Sequence, residues 1–456
     1  MTRAKGIVKE EIINKIISMI IQGTLNEGDF LPSIRSMSSR YNISRGTVLV
    51  VYKHLESMGY IQGFERSGYR VVKNGFYASQ HCSSKSDQSP FDNPVSKEEF
   101  SQQQLSKLMQ KRPCKFPPHF IKRWVSNYDN FSRYSSSLSP GYLQRFLKLS
   151  RGLVVEDTPL LLCSGHQEAM TLIALFLQQC GRKKVIIVGD PCSPRVSALF
   201  TQLQFEVIVV PTDHQGLCVE ALPAITDATL LCMPTLHYPT ATRMSDERKS
   251  RLLDWAAQNR TLLIEDDSYA MLGFGKNISL PLYSQPTSVE IIYLTELYEV
   301  LGTTYNVAIL ALPQEYINRF TELNQAVSSV YPPASFHIVE SFLASSYLMK
   351  YLTSLIEERY TKSQLAKHIC TDQLPTLNVN YHEESGFCYF SAIEKTLPAE
   401  LINTVFFPVK LSSGSNLDTT CFLFPFSLFT LAELEKVSVQ LPSLLPHYEP
   451  ALAKIE

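Results

Sequence analysis

A series of short apolar runs, alternating with helical patterns, constrains the fold of this chain more than any other feature. The runs are rich in Val, Ile and Leu and lie at residues 184–188, 205–210, 229–233, 261–265, 291–294 and 307–312. Strands that are apolar along their whole length are typical of a parallel sheet covered by helices on both faces. We therefore predict an α/β fold, with a mostly parallel sheet in a large domain over 111–334 and an α+β subdomain over 335–456.

A different pattern occupies residues 1–75. Apolar residues recur with helical spacing over 8–22, a short helix follows Pro32 and Ser33, and a third helix begins at Ser44. Residues 60–72 then resemble two short strands around a polar turn that contains glycine. Three helices followed by a hairpin predict a winged helix-turn-helix.

The segment between these regions, 76–110, is rich in Ser, Gln, Asn and Asp and has little periodicity. It is interpreted as a flexible linker, because a structureless loop of this length is unusual inside a compact domain. A surface loop within one domain is the alternative.

Charge and cysteine content narrow the classes of function. The net charge of the chain is -1, but residues 1–75 carry 11 basic and six acidic residues, which leaves 31 basic and 37 acidic residues elsewhere. A basic N-terminal region joined to an acidic remainder suits a protein that binds DNA.

The ten cysteines show no zinc-type spacing. With no signal peptide and no apolar run long enough to span a membrane, the expected location is the cytoplasm.

Four segments of the N-terminal region, at 31–35, 44–48, 55–61 and 67–71, resemble the winged helix of GntR-family transcription regulators. The resemblance implies that the partner is a double-stranded DNA operator. It places the DNA contacts at Ser33, Arg35, Ser44, Arg45, Thr47 and Gly68.

The physical chemistry of this region agrees. A helix N-terminus presents unpaired N–H groups and a partial positive charge to phosphate, and Arg45 could reach base edges from the first turn of a helix in the major groove. Each arginine alone could equally be a solvated surface charge. Several contact-type residues at family spacing in a basic region favour DNA contact, whereas Tyr52 is expected to be a core residue.

Four body segments, at 164–169, 189–191, 234–240 and 264–269, are similar to class I aminotransferases, in the MocR branch that is fused to GntR heads. That family binds pyridoxal phosphate. The resemblance implies that Asp266 pairs with the pyridine nitrogen and that Tyr269 bonds the ring hydroxyl. His237 is either a loop residue or a ligand contact. The implied pocket residues are Gly165, His166, Gln167, Tyr238, Asp266, Tyr269, Tyr298 and Glu299.

Other positions depart from the aminotransferase pattern. The lysine that forms the Schiff base falls on Glu299, and no lysine occurs between Lys276 and Lys350. The phosphate-binding arginine falls on Asn306, and the arginine that would hold a substrate carboxylate falls on Leu423. The serine before the lysine is Tyr298, and the glycine of the Pro-Thr-Gly turn is Ala241. We therefore expect no catalysis and no covalent cofactor.

The leading hypothesis is a sequence-specific transcription regulator whose degenerate aminotransferase-like body forms a homodimer and senses a small-molecule effector. One alternative is a pyridoxal phosphate enzyme that uses another lysine. A second is a reversible sensor of pyridoxal phosphate or a related vitamer, held without a covalent bond by Asp266 and Tyr269. These two residues could equally persist as structural residues at the end of a strand.

Overall fold

The computed structural model divides into two compact units, Met1–Asn93 and Pro94–Glu456. The predicted linker at 76–110 lies outside the described residues, apart from Leu105 and Leu108. The described residues are 12–13, 15–16, 19–20, 24–26, 28–57, 60–64, 68–72, 105, 108, 122, 140–155, 158–273, 279–302, 305–327, 334–374, 378–393, 397, 401–409 and 419–444.

The first unit is a helix-turn-helix followed by a hairpin. Helices α1 (Ile34–Tyr41) and α2 (Arg45–Ser57) precede strands β1 (Ile61–Phe64) and β2 (Gly68–Val71), which pair antiparallel. Of the predicted helix at 8–22, residues 12–13, 15–16 and 19–20 are described, and they are helical. The winged helix-turn-helix prediction is confirmed.

Helical spacing explains the core of this unit. Val48, Val51, Tyr52 and Leu55 follow one face of α2 and are buried. The hydroxyl of Tyr52 donates to the carbonyl of Pro32 at 2.7 Å, so its polar end is satisfied inside the unit. Tyr52 is thus a core residue, as the sequence predicted.

The second unit contains two sheets and the helices that cover them. Its helices are α3 (Pro140–Arg151), α4 (His166–Leu177), α5 (Pro194–Gln202), α6 (Asp246–Gln258), α7 (Tyr298–Leu301), α8 (Ile317–Val327), α9 (Ala334–Leu343), α10 (Leu348–Lys367) and α11 (Leu431–Leu444). Its strands are β3 (Leu160–Cys163), β4 (Val185–Asp190), β5 (Glu206–Asp213), β6 (Gly216–Leu217), β7 (Thr229–Cys232), β8 (Leu262–Asp266), β9 (Ile291–Glu296), β10 (Ala308–Ala311), β11 (Asn378–Tyr381), β12 (Cys388–Ile393), β13 (Phe407–Val409) and β14 (Thr419–Phe424).

The large sheet has the strand order β3-β10-β9-β8-β7-β4-β5-β6. The neighbours from β9 to β5 pair in parallel, whereas β10 runs antiparallel to both β9 and β3 and β6 runs antiparallel to β5. The prediction of a mostly parallel sheet is therefore confirmed. The carboxyl ends of β3, β4, β7, β8 and β9 meet at one edge, which is where open α/β sheets bind ligands.

Apolar side chains from successive strand positions build cores on both faces of the large sheet. Ile186 and Val188 of β4 pack with α4, α5 and α8, whereas Ile187 packs with α6 on the other face. Tyr293 and Ile309 contribute to a further cluster with α3, α9 and α10. This burial on both faces explains why the strands read as continuous apolar runs.

The smaller sheet is antiparallel, with the order β11-β12-β14-β13. Phe390, Phe422 and Phe424 of this sheet pack against α10 and α11 in a separate core. In the described part of the chain, no helix combines the length and the hydropathy that a membrane crossing requires.

Candidate functional site

The residues predicted to contact DNA cluster at the first turns of α1 and α2. Ser33 caps α1 by accepting the N–H of Ser36 at 3.1 Å. Ser44 caps α2 in the same way, because its Oγ accepts the N–H of Thr47 at 3.1 Å and lies 2.8 Å from the Thr47 hydroxyl. These two serines fix where the helices begin.

Arg35 and Arg45 occupy the first turns of α1 and α2, and both are exposed. The outer face of α2 continues with Leu49, Val50 and Lys53. Leu49 is 37% exposed and Val50 is 48% exposed, although both are aliphatic. This apolar patch was not predicted from the sequence; the signal for it was the pair of aliphatic residues that lie outside the buried face of α2.

The hairpin places Gly68 at the start of β2 with a φ of 93°. Only glycine adopts such a φ at little cost, and a Cβ built there would meet no atom within 4 Å. Beside it the guanidinium of Arg70 lies over the ring of Phe30 at 4.4 Å and near that of Phe64 at 5.6 Å. These two rings orient a cation on the hairpin.

In the second unit, a cavity of about 470 Å³ lies at the carboxyl edge of the large sheet. The structure brings nearly all of the predicted pocket residues together there. Glu296 also lines the cavity and was not predicted. The predicted residues that line it are Gly165, His166, Gln167, His237, Tyr238, Asp266, Tyr269, Tyr298, Asn306 and Leu423.

Asp266 is paired inside this cavity. Its Oδ2 lies 2.8 Å from Nε2 of His166, and its Oδ1 accepts the N–H and hydroxyl of Ser268. Burial lowers the pKa of His166, but the charge and hydrogen bond of Asp266 outweigh burial and raise that pKa to about 9. Burial raises the pKa of Asp266, and His166 and Ser268 together bring it below its ordinary value. A protonated imidazole and a carboxylate therefore neutralise each other.

The three consecutive acidic residues at the end of β8, Glu265, Asp266 and Asp267, have different partners. Glu265 accepts two backbone N–H groups at residues 282–283, at 2.7 and 2.8 Å. Asp267 accepts Nε of Arg151 at 2.6 Å, and both of these side chains are almost completely buried. Asp266 alone faces the cavity. Its two neighbours are structural residues.

Glu299 lies elsewhere. It is the second residue of α7, directly after Tyr298, and it lines a separate cavity of about 240 Å³. Its carboxylate forms an ion pair with Arg359 of α10, and the two side chains are 4% and 3% exposed. The structure thus places the position of the expected Schiff-base lysine outside the predicted pocket.

The phosphate end of the cavity lacks the expected cation. Asn306 donates its Nδ2 to the carboxylate of Glu296 at 2.7 Å. A Cβ built on Gly165 would lie 3.1 Å from that same Nδ2, so the amide packs against the loop before α4. None of the described residues that line the cavity is a lysine, and the arginine among them, Arg195, is exposed.

The opposite end of the cavity is apolar. Leu423 is 1% exposed and belongs to a cluster with Ala241, Phe387 and Phe407. A leucine cannot make the paired hydrogen bonds with which arginine holds a carboxylate. Ala241 has a φ of 54°, a left-handed conformation that alanine rarely adopts, and its methyl group packs in the cluster.

Aromatic and imidazole side chains cover the remaining wall. The rings of Tyr238 and Tyr269 stack at 4.7 Å and 8°. His237 forms a loop hydrogen bond to the Thr240 hydroxyl at 2.7 Å and also lines the cavity. Burial lowers the pKa of His237 to about 4, so it is neutral near pH 7.

These residues do not fit pyridoxal phosphate. The cofactor needs a lysine within reach of its aldehyde and cationic or N–H donors around its phosphate. The cavity offers instead a glutamate that Asn306 already bonds, and the carboxylate of Glu299 turns away into another cavity. Asp266 and Tyr269 still line the cavity, but Asp266 is already bonded to His166.

Comparison with protein families gives two matches that agree with the two units. Residues 8–71 match the bacterial regulatory proteins of the gntR family. Residues 138–295 match aminotransferase class I and II. The chain joins a GntR-family helix-turn-helix domain to an aminotransferase class I and II domain. The GntR domain contains α1, α2 and the hairpin, and the aminotransferase domain contains the large sheet up to β9.

Curated relatives of this chain are named as HTH-type transcriptional regulators. The chain is 27% identical over 285 residues to the HTH-type pyridoxine biosynthesis transcriptional regulator PdxR of Corynebacterium glutamicum. The aligned region covers 60% of this chain and 59% of the relative. It is 26% identical over 322 residues to the HTH-type transcriptional regulator YcxD of Bacillus subtilis, over 68% of each chain. The chain thus spans less than two thirds of the length of PdxR.

A solved structure of similar fold is an archaeal alanine:glyoxylate aminotransferase. The TM-score is 0.65 and the identity is 19%, over 76% of this chain and 95% of that one. At this identity the likeness establishes the fold of the aminotransferase domain alone, because one fold hosts many activities.

Proposed function

We propose that this protein is a sequence-specific DNA-binding transcription regulator. The observation that carries the proposal is the exposed Arg45 at the first turn of α2. In this GntR domain, Ser33 and Ser44 cap the N-termini of α1 and α2. A helix of this kind reads base edges in the major groove from its N-terminal residues. The surplus of basic residues in this domain supplies the attraction to phosphate.

The aminotransferase domain, in this proposal, is not catalytic. The support is the chemistry of three positions: a carboxylate at Glu299 cannot form an imine, an amide at Asn306 carries no positive charge, and a buried Leu423 cannot bind a carboxylate. Instead the domain forms a homodimer and senses a small molecule. A dimer would present two GntR domains to the two halves of a palindromic operator.

An enzyme that uses a different lysine is the competing function. Among the described residues that line the same cavity as Glu299, the lysine is Lys362. Its Nζ lies 2.8 Å from the carboxylate of Glu358 and donates to the carbonyl of Ser427 at 3.2 Å. An ion-paired ammonium group is a poor nucleophile, so the geometry disfavours this function.

Selection from a random double-stranded DNA library, with the full-length chain, tests the proposal. We expect an enriched two-fold symmetric sequence and a loss of about 1–3 kcal/mol of binding free energy per domain on Arg45→Ala. Arg40→Ala is the matched control, since Arg40 is exposed at the other end of α1. No enriched sequence, or equal losses in the two variants, would contradict the proposal. Sedimentation at the same concentration tests the homodimer.

A further inference from the structure

The amino end of α4 is already occupied by the protein's own carboxylates. The N–H of Ser164 donates to Glu168, and the N–H of His166 donates to Glu296. A helix N-terminus with free N–H groups is an ordinary anion site. Here Glu168 and Glu296 each accept one N–H group, and a bound phosphate would meet these two carboxylates.

Two oxygen acceptors also lie at this end, the Glu296 carboxylate and the amide oxygen of Asn306. Glu296 is 9% exposed and receives Nδ2 of Asn306 at 2.7 Å. Oδ1 of the same amide is buried and has no hydrogen-bond partner among the described residues. An acceptor without a donor is costly inside a protein, so a ligand that supplies N–H groups would gain two partners here.

The charges around the cavity also favour a positively charged ligand. His166 and Asp266 cancel, which leaves the carboxylate of Glu296 in excess. Arg195, the remaining cation among the described lining residues, is exposed and therefore solvated. A buried carboxylate without a cation beside it is costly.

The rest of the cavity suits the apolar part of a small ligand. Tyr238, Tyr269, Phe407 and Leu423 line it, and its volume of about 470 Å³ is in the range of small-molecule sites. The faces of tyrosine rings also attract cations.

We infer that this cavity binds a small organic amine with an apolar ring, whose ammonium group donates to Glu296 and Asn306 where a cofactor phosphate would otherwise lie. The amine is the effector of the regulator, a role that rests on the proposed function. The cavity excludes phosphorylated vitamers.

Calorimetry on the full chain with two matched ligand pairs tests this inference. The pairs are tyramine with 4-hydroxyphenylacetate and pyridoxamine with pyridoxamine 5′-phosphate. We expect at least one of tyramine and pyridoxamine to bind about tenfold or more tightly than its acidic partner. In the first pair only tyramine gains a charge-assisted hydrogen bond, and in the second pair the phosphate of pyridoxamine 5′-phosphate meets the carboxylates of Glu168 and Glu296. Equal binding within both pairs, tighter binding of the acids, or no binding of either amine would overturn the inference.

The variant Glu296→Gln keeps the size of the side chain and removes its charge. It should weaken amine binding about tenfold or more, whereas Glu206→Gln, at an exposed position of β5, should leave it unchanged. Full affinity in Glu296→Gln would overturn the inference. DNA binding by the wild-type chain is measured on the same sample. Amine binding without DNA binding contradicts only the regulator function, and DNA binding without amine binding contradicts only the ligand site.

Discussion

Glu299 and Arg359 form a buried ion pair, and the resemblance to aminotransferases predicts the Schiff-base lysine at the position of Glu299. Their side chains are 4% and 3% exposed, and Arg359 also packs so closely on Gly386 that a Cβ there would collide with the guanidinium. Replacing Glu299 by Gln removes one charge and leaves the other buried. Replacing it by Lys, the expected catalytic residue, places two cations together.

The cost follows from this burial. Removing one partner of a buried pair destabilises a protein by about 3–5 kcal/mol. Over the roughly 360 residues of the second unit, an unfolding entropy of about 2.1 cal/mol/K per residue converts that cost into a drop in melting temperature of about 4–7 °C. We expect Glu299→Lys to lose at least as much, so that restoring the lysine alone does not restore an enzyme.

A double-mutant cycle in thermal unfolding tests the size of the coupling. It comprises Glu299→Gln, Arg359→Met and the double variant, and the double variant should recover much of the stability, since two neutral side chains leave no unpaired charge. The control is Asp227→Asn, which breaks an exposed pair with Arg260 and should cost less than about 1 kcal/mol. Single variants that melt like this control, or a double variant whose loss equals the sum of the single losses, would refute the reasoning.

Three further variants test other parts of the structure. Ser33→Ala removes the cap of α1 and should destabilise the GntR domain by about 1 kcal/mol in thermal unfolding, and an unchanged melting temperature would contradict the assigned cap. Burial lowers the pKa of His166, but the Asp266 carboxylate outweighs burial and raises that pKa from 6.5 to about 9. The pair therefore stabilises the folded state fully below pH 6.5, and this contribution to the free energy of unfolding is lost as the pH rises through about 9. Unfolding of His166→Gln at several pH values should lack this slope, and an identical pH profile would contradict the pair. The exposed Leu49 is expected to contact a thymine methyl group in the selected operator. Replacing that thymine by uracil should weaken binding of the wild-type chain about fourfold, because burying one methyl group contributes about 0.8 kcal/mol. The same replacement should not affect binding of Leu49→Ser, and equal sensitivity of the two chains would contradict the contact.

The sequence could predict the elements that obey a strong local rule. The fully apolar strands of the large sheet are buried on both faces, which is why their runs were unambiguous. Strand β3 and most of the small sheet were missed, because their residues are short or mixed runs that only tertiary pairing makes into strands. The reversed direction of β10 is likewise a property of the assembled sheet.

The pocket could be predicted from motifs, but the direction of its side chains could not. Tyr298 and Glu299 are neighbours in sequence, yet one residue of helix turns a side chain by about 100°. Tyr298 therefore lines the larger cavity and Glu299 the smaller one. Glu296 was missed, although a single carboxylate at the carboxyl end of an apolar strand was a usable signal.

The absorption spectrum of the purified full-length chain, titrated with pyridoxal phosphate and then reduced with borohydride, tests most directly whether the aminotransferase domain has lost its chemistry. With Glu299 in place of the lysine, the titration should give no saturable Schiff-base band, and reduction should fix no cofactor on a residue of the cavity. A saturable band, together with a reduced adduct on one lysine and amino-group transfer to a keto acid, would contradict the proposal that this fold serves a regulator rather than an enzyme.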